Sequence, residues 1–233
     1  MTGPSGVEIQ TMFDRLAEGY DRFNTVMSLG LDAYYRNRTL APIRPGMRIL
    51  DLGTGTGTLA LGAARRVGDA GEVIGLDFSA DMLKVADRKA RAAGLEGRIR
   101  WVQKPAEAIP FEEVLYDGVI SGYVLRNIYK NIESILAGLY RSLKPGGWVS
   151  IVDLTEPKNP VMRSLSFAWL QSVTWLCGRM TFGKDYPDTY LRDSMKRFLK
   201  ADEFSALLAK TGFKNVRAQG LVGGMVTHYS GTK

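Results

Sequence analysis

Apolar and polar positions change their period several times along this chain, and each change predicts an element. From Val7 to Arg38 apolar and aromatic residues recur at helical intervals with Asp14, Asp21 and Asn24 between them, which predicts one or two helices. Pro42, Pro45 and Gly46 then break the chain. The run from Met47 to Gly53 is short, apolar and ends in Asp-Leu-Gly, the form of a buried parallel strand. Alternation follows, with strands predicted over 47–52, 72–77, 98–103, 116–122 and 147–153 and helices over 57–67, 79–93 and 131–143. Such alternation requires right-handed crossovers, so the fold class is α/β, a doubly wound, mostly parallel sheet with helices on both faces. Ligands of such sheets bind outside the carboxyl ends of the strands.

After Asp153 the alternation stops. Residues 156–198 carry Phe167, Trp169, Trp175, Phe182, Tyr186 and Tyr190 with little strand character, and read as a helical insertion. A helix over 200–211 and a hairpin of 213–219 with 222–230, joined around Gly220, bring the sheet to seven strands. The chain therefore divides into an N-terminal helical cap (1–45), a cofactor-binding core (46–155), a helical lid or substrate insertion (156–198) and a C-terminal helix and hairpin (199–233).

Composition narrows the class. With 233 residues, 45% hydrophobic and 24% charged, the chain is an ordinary globular one and can bury a core. Glycine is the outlier at 26 residues, many of them beside apolar runs, where tight turns are needed. A net charge of +7 suits an anionic partner, but the basic residues are scattered in doublets such as Arg65-Arg66 and Lys196-Arg197. They do not form the contiguous basic face with interleaved aromatics that nucleic-acid binding needs. The single cysteine, Cys177, excludes an intrachain disulfide and fits a reducing compartment, and the single histidine, His228, argues against a metal site and reads as structural. No leader pattern opens the chain, and Leu165–Cys177 falls short of the roughly 20 residues that span a bilayer. The expected protein is cytoplasmic, with peripheral membrane contact left open.

Candidate chemistry centres on Asp51-Leu-Gly53-Thr-Gly55-Thr-Gly57, which follows a strand and opens a helix. Its glycines let the backbone turn sharply and approach a ligand. The dinucleotide fingerprint fails at its last glycine, where this chain has Thr58. Asp51 argues the same way, because a carboxylate there would repel a pyrophosphate. S-adenosylmethionine has no phosphate and offers a cationic amino group and a sulfonium instead. Asp77 ends the next strand twenty positions after Gly57, where an acidic side chain can take two ribose hydroxyls, and Phe78 and Met82 could flank the adenine. Alone, the loop could be a plain turn and Asp77 a helix cap with Ser79 and Asp81. Their order and spacing on consecutive strand ends favour a binding site.

These residues belong to a wider resemblance. The opening MFDRLAEGYDRFNTVMSLG, the loop LDLGTGTG, the strand end GLDFSADML, the turn AEAIPF, the tetrad Val124-Leu125-Arg126-Asn127 ahead of LKPGG, then YLRDSMKRF and GGMVTHYSG, all have counterparts in one family. The chain resembles the class I S-adenosylmethionine-dependent methyltransferases and, more closely, the ubiquinone/menaquinone biosynthesis C-methyltransferases. It departs from the second family at Pro105, Val124, Asp32 and Arg192, the last three where the acceptor should sit. With proline at 105, adenine recognition leans on the backbone near Ala106 and Glu107.

The resemblance implies S-adenosylmethionine as cofactor and a Rossmann-like core. Tyr20 would close over the methionine end, while Ser121 and Gly122 would end the fourth strand beside the cofactor. Arg126 and Asn127 would face the transfer site, and Asp153 at the next strand end would take part with them or simply pair with Arg126 as structure. A phenolic ring is a poor carbon nucleophile until its hydroxyl loses a proton, so a fixed cation and an amide there would stabilise the phenolate or orient a water. The implied acceptor is a prenylated quinol such as demethylmenaquinol, its tail in an apolar tunnel under the Leu165–Phe182 stretch. Alternatives are a phospholipid or small-molecule N- or O-methyltransferase, a nicotinamide oxidoreductase, which Asp51 disfavours, and a nucleic-acid-binding module on the same fold. A homodimer is left open.

Overall fold

A computed structural model of the chain describes residues 6–108, 115–186 and 189–233. Five strands, β1 (Arg48–Leu52), β2 (Glu72–Asp77), β3 (Ile99–Gln103), β4 (Tyr116–Gly122) and β5 (Leu143–Leu154), run parallel to one another. Two more, β6 (Lys214–Leu221) and β7 (Val226–Thr232), complete a seven-stranded sheet in the order β3-β2-β1-β4-β5-β7-β6, with β7 antiparallel to both neighbours. The central strands are buried on both faces, as β1 (Ile49, Leu50 and Leu52 all fully buried) shows.

Helices cover both faces. In chain order they are α1 (Gly6–Leu16), α2 (Tyr20–Met27), α3 (Asp32–Thr39), α4 (Thr58–Val67), α5 (Ala80–Ala92), α6 (Ile132–Ser142), α7 (Pro160–Phe182), α8 (Tyr190–Arg197) and α9 (Ala201–Thr211). On one face Leu136, Leu139, Phe204 and Leu208 of α6 and α9 pack with Val119, Val149 and Tyr229. On the other, Leu59, Ala60 and Ala63 of α4 pack on Ile49, Val73 and Ile120. The predicted alternation, the insertion and the terminal helix are all present.

Three expectations change. The N-terminal segment holds three α-helices instead of one or two, because a 3-10 turn at Ala17–Gly19 separates α1 from α2, and Leu29 and Gly30, both at positive φ, separate α2 from α3. Strand β5 begins at Leu143 instead of 147: Leu143 pairs with Tyr116 and Trp148 with Gly118, so the Lys144–Gly147 segment bulges out of the ladder, where Lys144 pairs with Asp117 at 2.7 Å. The terminal hairpin does not turn at Gly220, which pairs with Thr227 inside β6. Val222–Gly224 form the turn, with Gly223 and Gly224 at φ of 62° and 92°.

The cap is tied to the core at the glycine loop. Asp21 on α2 accepts from the hydroxyls of Thr56 (2.6 Å) and Thr58 (3.0 Å) and pairs with Lys89 of α5 (2.6 Å). Burial opposes the charge on Asp21, but these partners outweigh it and lower its pKa. Asp14 accepts from the Ser79 hydroxyl at 2.5 Å, and Gln10 donates to the Phe78 carbonyl at 3.1 Å. Helix α7 starts with Pro160 at its first turn, capped by Asn159, whose side chain accepts from the N–H groups of Val161 and Met162. It crosses α2, where Trp169 donates to the Met27 carbonyl. Among the described residues no helix is long and apolar enough to cross a membrane.

Candidate active site

Two cavities open at the carboxyl ends of the parallel strands. The first, of about 510 Å³, is bounded by Phe78, Met82, Pro105 and Ala106 at one end and by Arg36, Gly122 and Tyr123 at the other, with Gly53, Thr54, Gly55 and Asp77 between. The second, of about 320 Å³, lies under the cap and the insertion and is walled by Leu16, Phe23, Met27, Trp169, Leu170 and Tyr186, with Arg126 and Asp32 as its charged members. Phe13, Tyr20 and Tyr123 line both, so the cavities meet there.

The glycine loop shapes the first cavity in three different ways. Gly55 has φ 54°, and a Cβ built on it meets nothing within 4 Å, so this position leaves open space next to the cavity it lines. At Gly53 a Cβ would collide with both methyls of Val124, one of the positions that depart from the resembled family. Gly57 does not line the cavity; its Cβ would press on Ala86 and Trp101, each 2.9 Å away, so this glycine serves the packing of α4 against α5 and β3.

Asp77 does two jobs. Its carboxylate accepts from the N–H of Gly55 (2.8 Å) and from the N–H of Ser79 (2.9 Å), so it fixes the glycine loop and the start of α5. The residue also lines the cavity, and each carboxylate oxygen has a second lone pair for a hydroxyl. Burial raises its pKa despite these donors. Ser79 is the cap of α5, a role the sequence offered to Asp77 as an alternative.

Asp51 is fully buried and lies beneath the loop, outside both cavity walls. Thr54 donates to its Oδ2 at 2.6 Å, and its Oδ1 has no hydrogen-bond partner among the described residues. Burial pushes its pKa up to about 7, against the opposing pull of the Thr54 hydroxyl and the Arg36 charge. A pH dependence follows. Because the folded carboxyl holds its proton where the unfolded one (3.8) has lost it, stability falls as pH rises from about 4 to about 7. Asp51→Asn removes this slope, so between pH 5 and pH 8 the wild type should lose about 5 °C more melting temperature than the variant. Parallel melting profiles would show that Asp51 is ionised in the fold throughout.

The other expected residues divide between walls and supports. Tyr20, Phe78, Met82, Ala106, Glu107, Gly122 and Asn127 line the first cavity. The remainder of the AEAIPF turn, from Ile109 to Phe111, lies outside the described residues. Ser121 is fully buried and donates to the Leu52 carbonyl at 2.8 Å, so it ties β4 to β1 and touches neither cavity. Of the departures from the resembled family, Val124 lines the first cavity and Asp32 the second, whereas Arg192 pairs with Asp193 at 3.0 Å and lines neither. His228 shares a hydrogen bond with Ser150 (2.8 Å) across β5 and β7, and burial lowers its pKa.

Arg126 sits in the wall of the apolar cavity, 4% exposed. Its Nη1 donates to Asp153 Oδ1 at 2.7 Å and to the Tyr123 carbonyl at 2.6 Å, while its Nε is buried without a partner among the described residues. Burial works against the guanidinium, but Asp153, with Tyr20 and Tyr190 beside it, holds its pKa above the ordinary value. Asp153 is fully buried, lines neither cavity and also accepts from the Leu154 N–H, so it positions Arg126 from behind. Tyr190, in the same wall, donates to Asn127 Oδ1 at 2.8 Å; burial pushes its pKa up to about 12, which keeps it a phenol.

Sequence reasoning missed Arg36, Tyr123 and the clamp role of Asp21. Tyr123 carries the clearest signal, an aromatic residue at positive φ (65°) directly after a strand, and this is visible only in the backbone.

The sheet order, the antiparallel β7 and a cavity at a glycine loop above the parallel strands define the Rossmann-like fold of S-adenosylmethionine-dependent methyltransferases. Solved methyltransferases of that class from Thermotoga maritima (TM-score 0.62, 19% identity, covering 97% of this chain and 99% of that one) and Aquifex aeolicus (TM-score 0.58, 18% identity, 82% and 84%) share the fold. The chain belongs to the ubiE/COQ5 methyltransferase family, whose profile matches residues 1–233. Relatives include the ubiquinone/menaquinone biosynthesis C-methyltransferase UbiE of Geotalea daltonii, 36% identical over 98% of this chain and 97% of that protein. The demethylmenaquinone methyltransferases of Desulfitobacterium hafniense (34%; 97% and 89%) and Lactiplantibacillus plantarum (33%; 97% and 95%) are similar over the same span.

Proposed function

We propose that this methyltransferase uses S-adenosylmethionine to methylate a ring carbon of a prenylated quinol such as demethylmenaquinol. The observation that carries this reading is the junction of the two cavities, where a mostly apolar pocket with one buried arginine in its wall meets the glycine-loop cavity at Phe13, Tyr20 and Tyr123.

The residues present fit the cofactor. Phe78, Met82 and Ala106 offer an apolar slot for the adenine, Asp77 keeps acceptor capacity for ribose hydroxyls, and Gly55 leaves its Cβ position empty. When bound, S-adenosylmethionine supplies an electrophilic methyl group on a sulfonium. The chain's own contribution is alignment and charge. Arg126 presents a desolvated cation where the acceptor's hydroxyl would lie, which favours loss of the hydroxyl proton to water, and the phenolate oxygen so formed would then supply electron density to the ring carbon. Tyr190 holds Asn127 in place, and the aromatic residues at the junction exclude bulk water.

The same arginine disfavours a cationic amine as acceptor, since it would place like charges in one apolar pocket. Leu29, Leu31, Leu165 and Val222 line the second cavity and are also exposed. This continuity from pocket to surface supports uptake of a lipid-like substrate from a membrane face. The N-terminal half of α7 supplies the tunnel wall, whereas Trp175, Leu176 and Met180 face outward.

Incubation with methyl-labelled S-adenosylmethionine and a panel of reduced quinones and phospholipids tests the reading. Label should enter demethylated quinols with prenyl tails and leave phospholipids unmarked. Label in a phospholipid alone would overturn it.

A further inference from the structure

We propose that Arg36, on helix α3 of the cap, binds the carboxylate of the cofactor's methionine end. The inference rests on the reading that the first cavity holds S-adenosylmethionine and names a contact of that site.

Three observations meet at this side chain. Arg36 lines the first cavity at the end opposite Phe78 and Pro105, beside Gly122 and Tyr123. The guanidinium stands over the Tyr123 ring, 5.5 Å from its centre, and Tyr123 lies at the junction of the cavities. Its side chain is only 12% exposed, yet among the described residues its Nε has no hydrogen-bond partner, and the Asp32 carboxylate is 3.7 Å away. A buried guanidinium so loosely paired has donors to spare.

Charge complementarity selects the ligand group. Lys104 is the other cation among the described residues lining this cavity, and it adjoins Pro105 at the apolar, adenine end. With Asp77 placed for the ribose, the methionine end of the cofactor extends towards Arg36, and the anionic group it carries there is a carboxylate. Planar guanidinium and carboxylate match in a two-bond fork, which an ammonium cannot reproduce. Asp51 is buried below the loop and lines neither cavity, and Asp32 lines the second cavity alone, so neither carboxylate shares the wall of the first cavity with Arg36. The cap therefore carries part of the cofactor site, so the clamp of Asp21 on Thr56 and Thr58 also holds the anchor in register with the glycine loop.

Calorimetric titration of the full chain with three nucleosides decides this. S-adenosylhomocysteine carries the carboxylate, its decarboxylated analogue retains the amine alone, and methylthioadenosine lacks the whole amino acid end. The wild type should bind S-adenosylhomocysteine about 10- to 100-fold more tightly than the decarboxylated analogue. Arg36→Met should abolish that difference while leaving methylthioadenosine affinity unchanged, and Arg36→Lys should restore part of it. If Arg36→Met fails to fold, the Arg36→Lys titration and the wild-type comparison carry the test. A wild type that does not discriminate the decarboxylated analogue, or an Arg36 variant that keeps the full difference, overturns the proposal while leaving the cofactor reading intact. Binding of none of the three by the wild type overturns the cofactor reading itself, and the proposal with it.

Discussion

Arg126→Ala should slow single-turnover methyl transfer about 10²–10³-fold per folded molecule, the usual effect of losing one preorganised electrostatic contact. It should also lower the melting temperature, because Asp153 stays buried with its charge partner gone, at a cost of about 3–5 kcal/mol. The geometry requires both effects, since one nitrogen of Arg126 is spent on Asp153 and the Tyr123 carbonyl while the side chain still faces the apolar cavity. Affinity for S-adenosylhomocysteine should change little. Arg126→Lys should recover stability more fully than rate, because an ammonium keeps the charge and loses the fork. Asp153→Asn should lower the melting temperature yet reduce the rate far less, since the cation remains in the cavity wall. Melting curves and single-turnover rates on all three variants separate the roles. A destabilised Arg126→Ala with near-normal chemistry per folded molecule would reduce the residue to a structural ion pair.

Gly55→Val should abolish cofactor binding in a protein that still folds. The position has φ 54°, where a β-branched residue is strained by about 1–3 kcal/mol, so the melting temperature should fall by several degrees without loss of the fold. Its added carbons would fill open space that the cofactor must occupy. Gly53→Ala should lose melting temperature and affinity for a different reason, because its methyl group meets Val124. Calorimetric titration with S-adenosylhomocysteine and a melting curve on each variant check the pair. Wild-type affinity in Gly55→Val would mean that the loop is only a turn.

The core was legible because parallel strands buried on both faces leave continuous apolar runs, and the loop was legible because its glycines follow one such run. Individual roles within the site were less so. Ser121 and Gly57 looked like cofactor neighbours for their small size, yet one ties β4 to β1 and the other lets α4 pack on α5. Smallness marks close approach without saying what approaches. Arg36 was hidden because Asp32 and Arg36 at i, i+4 look like an exposed helix pair, and only the placement of α3 over the strand ends brings the arginine into a cavity. Asp153 was legible as a strand-end carboxylate, but its position behind Arg126 depends on the depth of β5.

Methyl transfer to a ring carbon of a quinol held at the cavity junction leaves a product that no other acceptor or site of attack would give. A single turnover with isotopically labelled S-adenosylmethionine and reduced demethylmenaquinone, followed by magnetic resonance of the product, tests it most directly. The label should appear as a methyl group bonded to the ring carbon. Label on a quinol oxygen, or no transfer to the quinol at all, would contradict it.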